Sequence, residues 1–224
     1  MTAEYILIAM LIVMVYFLIN GVRQGFLRVV FALMSSALAL FIVAYMAPMV
    51  ANFIKENTGI YTAVYGNISG AISKMTLGQA SETEAINSFN IPQVIKMLLI
   101  SNNTSETYTA LLIDAFQDYI AAFMARMVVR IIALLIIFVF TKFILRSIGL
   151  MLDIIDKIPV VHGLNRLAGG VAGLLEGALL ICLFMLFMTI FVGGKIGTSF
   201  FEIVESDKIL SFIYNNNILL RFVA

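Results

Sequence analysis

The sequence has no tryptophan, one cysteine, one histidine and three prolines, and only 12% of its 224 residues are charged. With Cys182 as the lone cysteine, an intrachain disulfide and a thiolate metal cluster are both excluded. Lying inside an apolar run, it reads as a reduced thiol packed as a small hydrophobe. With His162 as the lone histidine, the usual zinc spacings are absent. Close to Pro159 and next to Gly163, it reads as a loop residue at a headgroup boundary. No nucleophile is paired with a base, so an intramembrane enzyme has no visible machinery and no cofactor is called for. A formal net charge of +1 leaves too little basicity for nucleic-acid binding by phosphate neutralisation.

What the chain does have is apolar surface. Hydrophobic residues make up 62% of it, the mean hydropathy is +1.06, and a soluble domain of ordinary composition has far less. The reading is an all-α integral membrane protein whose main partner is the lipid bilayer. Judged against the ~20 apolar residues a crossing needs, four transmembrane helices are predicted at about 3–20, 29–47, 120–146 and 167–192. The first resembles a signal peptide only in length. Ahead of it stands Glu4 rather than a basic region, and no small-residue cleavage site follows, so a retained helix is expected. The second is expected to stop at Pro48, with Ser35 and Ser36 in its middle permitting close helix contact.

The third is ambiguous at its start. Residues 131–140 are almost pure hydrocarbon but too short, so the span borrows neighbours. Starting near Tyr119 immerses Arg126 and Arg130 on one face, four residues apart; starting near Met127, the preferred reading, leaves Lys142 and Arg146 to snorkel at the other end. Basic residues then set the orientation. Arg23 and Arg28 follow the first helix, acting as anchors to anionic lipid, and Lys142, Arg146, Lys157 and Arg166 surround the loop at 147–166, so both connections are expected in the cytoplasm. The outer segment at 48–118 carries a mixture of acids and lysines and would lie outside with both termini. It reads as short interfacial helices in a long connection: amphipathic pieces broken at Gly59, Gly66 and Gly70, then a turn in which Ser81 caps toward Glu84. Either a solvated connector or a ligand-binding cap fits it. The whole, 1–224, is read as one membrane domain.

The last predicted helix opens with glycines. Gly169, Gly173 and Gly177 recur every four residues and so share one helix face, a stripe without side chains that another helix can approach closely. Its partner is a helix of the same chain or of a second copy, which would make a homo-oligomer. Beside the stripe stands Glu176, roughly 15 Å along the helix from Arg166 at 1.5 Å per residue. A carboxylate there costs roughly 2.5–3.5 kcal/mol on insertion scales. Either it fixes helix register through a polar partner, or, with Arg126 and Arg130 as further candidate intramembrane charges, it handles protons or cations.

Two stretches resemble a known family. In NGVRQGFLRVVF, Gly21, Arg23, Gly25 and Phe26 match a G-x-R-x-G-F turn. In the run from Leu152 to Leu180, Pro159, Gly163, Asn165, Arg166, Gly169, Gly173 and Gly177 match a proline-containing link followed by N-R-x-x-G-x-x-x-G-x-x-x-G. Their order and placement resemble the colicin V production protein (CvpA) family of bacterial inner-membrane proteins. The resembled pattern carries a basic residue where this chain has Glu176, so no shared carboxylate chemistry is implied. The resemblance implies a nonenzymatic factor of toxin production or export and of envelope homeostasis, working with other envelope or export proteins. The alternative is a small ion or solute channel or transporter using Glu176 and the two arginines.

Overall fold

A computed structural model describes residues 2–73, 81–152, 162–192 and 194–223. Every regular element among them is helical: α1 Ala3–Gln24, α2 Phe26–Asn57, α3 Ile60–Ile72, α4 Glu82–Ser88, α5 Gln93–Ser101, α6 Ser105–Leu111, α7 Phe116–Leu152, α8 His162–Thr189, α9 Lys195–Ser206, α10 Lys208–Asn215, and a closing 3-10 turn at Ile218–Phe222. Within them Ala3–Gln24, Val29–Asn57, Phe116–Leu145 and Asn165–Thr189 are long and apolar enough to cross a bilayer. The chain divides into two compact units, Met1–Ala47 with Leu134–Phe184, and Pro48–Ala133 with Met185–Ala224.

The first unit holds α1, the start of α2, the end of α7 and most of α8. It keeps large apolar side chains on its outside: Tyr16, Phe41, Tyr45, Phe143 and Val171 are each more than 60% exposed. Soluble monomers rarely show apolar surface on that scale, whereas lipid covers it at no cost.

The second unit also exposes large apolar side chains, among them Phe53, Ile196 and Phe212, but it gathers more of them into an interior. Residues 119–133 of α7 are buried almost throughout, Arg126, Arg130 and Ile132 being the half-buried exceptions. Ile86 of α4 and Ile95 and Leu99 of α5 are fully buried, as are Phe201 of α9 and Tyr214 of α10. Ala51 and Ile54 near the end of α2 form one cluster with Val129 and Ala133 of α7. Its few buried polar groups are paired. The Tyr119 hydroxyl donates to the Leu99 carbonyl at 2.6 Å, and the Thr189 and Tyr214 hydroxyls share a bond of 2.9 Å.

Several predicted boundaries shift. Helix α2 does not stop at Pro48 but runs through it to Asn57. Proline removes one ladder hydrogen bond, and the face bearing Ala47, Ala51 and Ile54 is buried, which holds the helix beyond the lost bond. Helix α1 continues past residue 20 to Gln24, until a glycine with positive φ ends it. Helix α7 takes in 116–152 rather than 120–146. Helix α8 begins at His162, so the expected cytoplasmic loop at 147–166 is helical at both its ends, and residues 190–192 tighten into i→i+3 turns instead of extending it. Gly66 and Gly70 do not interrupt α3. A helical glycine costs about 1 kcal/mol relative to alanine, too little to break a helix whose Ile68 and Ile72 are buried. Gly59 does separate α2 from α3, and Ser81 with Glu84 forms the reciprocal capping box that their spacing predicts. Pro159 and residues 74–80 lie outside the described residues.

Two outcomes follow from the tyrosines. Replacing Tyr119 by Phe strands the Leu99 carbonyl in the core, and should lower unfolding stability by about 1–3 kcal/mol, while Tyr45→Phe on the exposed face changes it by less than about 0.5 kcal/mol; denaturant titration in detergent separates the two. Tyr65 donates to an Asp118 carboxylate oxygen at 2.7 Å, and that bond, with burial and the neighbouring negative charge, pushes its phenol up to about 12. A phenol whose folded value is raised contributes stability in full below its ordinary value near 10, and loses it as pH rises toward 12. The melting temperature of Tyr65→Phe should therefore fall less steeply than that of the parent between those two pH values.

Candidate functional site

Within the first unit, the two sequence motifs meet. Helix α1 ends on Gly25, whose φ of 80° favours a residue without a Cβ. Its N–H donates to the Gly21 carbonyl at 2.9 Å, the last bond of the α1 ladder. The next N–H, that of Phe26, begins α2 and has no carbonyl of its own helix to reach. Asn165 supplies the acceptor: its side-chain oxygen takes that N–H at 2.9 Å from 139 residues away in sequence. An amide of α8 thus serves as the N-cap of α2.

The glycines then bring α1 and α8 backbone to backbone. A Cβ on Gly21 would run into the Gly169 carbonyl and stand 3.1 Å from the Gly173 Cα. One on Gly169 would overlap the Gly21 carbonyl oxygen and lie 2.8 Å from the carbonyl carbon of Gly25, and one on Gly173 would overlap the Phe17 carbonyl. These neighbours are main chain and cannot swing aside. Farther along, Gly177 faces only side chains, with the Phe17 Cβ at 3.2 Å and the Met14 sulfur at 3.3 Å. The glycine stripe is therefore filled by α1 of the same chain. Gly170, off the stripe, is also enclosed, by Val22 and Leu18; the four-residue period gives no signal for it.

Other motif residues lie around this joint. Arg23 and Arg166 are exposed, and Arg23 in the last turn of α1 complements the negative end of the helix dipole. Gly163 belongs to the first turn of α8. Glu176 is half-buried beside the stripe, and among the described residues it makes no hydrogen bond or ion pair.

A second charge within a candidate span is one that the sequence places at a helix end. The Lys142 ammonium is half-buried and donates to the Ser36 hydroxyl at 2.8 Å and to the Ala32 carbonyl at 3.2 Å. Ser36 in turn donates to the Ala32 carbonyl at 2.9 Å and is 2% exposed. The small residue in the middle of α2 gives close contact and, in addition, an acceptor for a cation; Ser36 and Lys142 are 106 positions apart, so no local pattern links them.

Arg126 and Arg130 belong to the second unit and line a common cavity with Asn102, Thr107 and Val223. Arg126 donates to the Ala110 carbonyl at 2.9 Å, and Arg130 to that of Val223 at 3.5 Å. Arg126 also moderates Tyr61, whose phenol is raised by burial and lowered less by that nearby positive charge. Among the described residues no group of three histidine, cysteine, aspartate or glutamate side chains converges on a metal position.

The glycine contacts predict a graded response. Gly21→Ala, Gly169→Ala and Gly173→Ala should each destabilise the protein by about 1–3 kcal/mol or more through overpacking against backbone. Gly66→Ala, which meets nothing within 4 Å, should stabilise by up to ~1 kcal/mol. Thermal melts with membrane abundance test the series. With Cys182 replaced by serine, Phe17→Cys paired with Gly177→Cys should form a disulfide within one chain, because a Cβ at 177 stands 3.2 Å from that of residue 17, a few tenths of an ångström inside the roughly 3.5–4.5 Å that a disulfide spans; dimers on a nonreducing gel would contradict the intrachain contact.

Compared with known proteins, a family model described as colicin V production protein matches residues 7–87 and 105–213. No curated protein matches the chain, and no solved structure does.

Proposed function

The chain belongs to the colicin V production protein family, and on that premise we propose that this multi-pass membrane protein is a nonenzymatic assembly factor of the bacterial cytoplasmic membrane. In hosts that make a colicin V-like peptide toxin it supports toxin production or export; in general it serves envelope homeostasis. One observation carries the reading. Motif residues Gly21, Gly25, Phe26, Asn165, Gly169 and Gly173 are engaged with one another as a helix joint, which is an architectural use of the family's signature rather than a chemical one. What such an architecture offers to other proteins is surface: apolar flanks on the spanning helices and a body of short helices in the second unit. Any homo-oligomer would have to use those flanks, since the glycine stripe is already occupied. The basic residues around residues 23–28 and 142–166 support cytoplasmic placement of those connections, with both termini outside.

The channel or transporter reading has its own support in Glu176, half-buried in α8, and Lys142, half-buried on Ser36. Charges inside spanning segments often mark ion pathways.

Complementation decides between the two. In a deletion strain under envelope stress, Glu176→Gln, Glu176→Leu and Glu176→Lys should all restore growth at normal membrane abundance. If Gln and Leu fail while Lys142 and the glycine joint are untouched, a titrating carboxylate is required. Ion or solute flux in liposomes, lost in Glu176→Gln, would then replace the assembly reading.

A further inference from the structure

We propose that the cavity between α6, the first part of α7 and the C-terminal turn binds the phosphate of an anionic phospholipid headgroup, with Arg126 and Arg130 as its ligands. The cavity lies wholly within the second unit and measures about 290 Å³. It suits a phosphate and part of a headgroup but not an acyl chain, being at the small end of ligand sites. Arg126 and Arg130 are four residues apart on α7, one helical turn, so both guanidinium groups stand on one wall. A guanidinium has five donors in a planar fork matched to phosphate oxygens, and the bond from Arg126 to the Ala110 carbonyl uses one Nη of that fork. Arg130 likewise gives one Nη to the Val223 carbonyl, and among the described lining residues the carboxylate is that of Glu106, on the exposed side of α6.

Two further features favour a lipid over a soluble phosphate. The candidate span Phe116–Leu145 has 30 residues, where a crossing needs ~20, so part of it stands outside the hydrocarbon. Among the described side chains of α7, the large apolar ones that are exposed run from Ile136 to Ile144, which sets the arginines toward the headgroup end of the span. The other feature is Leu112, which ends α6 directly after the cavity-lining Leu111. It is 91% exposed and has a φ of 57°, a left-handed conformation that a branched side chain rarely adopts. An apolar residue held outward beside a basic cavity is matched to an interface where acyl chains and phosphates lie a few ångströms apart. Basic pockets at membrane helix ends bind acidic headgroups in this way.

The test uses the full chain in nanodiscs of phosphatidylcholine doped with phosphatidylglycerol, with lipid retained after transfer to detergent counted by native mass spectrometry. Phosphatidylglycerol should be retained over phosphatidylcholine, and Arg126→Gln and Arg130→Gln should each reduce that retention by about fivefold. Arg126→Lys keeps the charge and should restore part of it. Glu106→Gln, which leaves both arginines and the fold in place, should raise retention, so the proposal stays testable if an arginine variant does not fold. Because the chain has no tryptophan, Leu112→Trp is a sole fluorophore, and brominated phosphatidylglycerol should quench it. Equal retention of the two lipids, unchanged retention in the arginine variants, or no gain in Glu106→Gln would overturn the assignment. Displacement of the lipid by inorganic phosphate with Leu112→Trp unquenched would overturn it in favour of a soluble oxyanion.

Discussion

Where helices α1 and α8 cross, their main chains touch, and no side chain fits between them. That contact constrains the rest of the first unit. In an apolar surrounding, every N–H and C=O must find a partner inside the protein. The reversal from α1 to α2 interrupts both helical ladders, and its freed backbone groups are met within the protein. Gly25 turns the chain, Asn165 accepts the exposed Phe26 N–H, and Gly169 lets the reversal sit against α8. Each residue serves only because the others are present: a larger residue at 169 would lift α8 away and take the Asn165 acceptor with it.

The two units hold their helices together in different ways. In the first, packing is by backbone and small residues, and bulky side chains are left for lipid to cover. In the second, bulky side chains are gathered around residues 119–133 of α7, and tyrosine hydroxyls are tied to a carbonyl or to a threonine hydroxyl. The division follows the sequence. Glycines mark the helices that meet in the first unit, whereas serine, tyrosine, asparagine and the acids concentrate in the second. The glycine joint falls in the first unit and the arginine-lined cavity in the second.

Much of the architecture was legible because hydropathy and glycine period are local signals. Four apolar runs give four long helices, and a four-residue glycine period gives a face that must be packed. Ser81 and Glu84 announced a cap because a capping box is closed within one turn. What was not legible depended on distance. Pro48 looks like a stop until the burial of Ala51 and Ile54 is known, and Gly66 and Gly70 look like breaks until Ile68 and Ile72 are seen to be buried. Lys142 finds Ser36, and Phe26 finds Asn165, across more than a hundred residues. The same holds for the stripe: spacing shows that a helix lies against it, but not that the helix is α1.

The bond between Phe26 and Asn165 also has a history in time. Its acceptor is encoded 139 positions after its donor, and a ribosome adds ~5–20 residues per second. For roughly 7–28 s, then, α1 and α2 stand in the membrane with an open backbone groove at Gly21 and an unclaimed N–H. A freshly inserted hairpin in that condition offers other small-residue helices the same landing site that α8 later fills. The order of synthesis makes the first two helices a temporary receptor for the last, and the interval before closure is set by the length of the intervening chain.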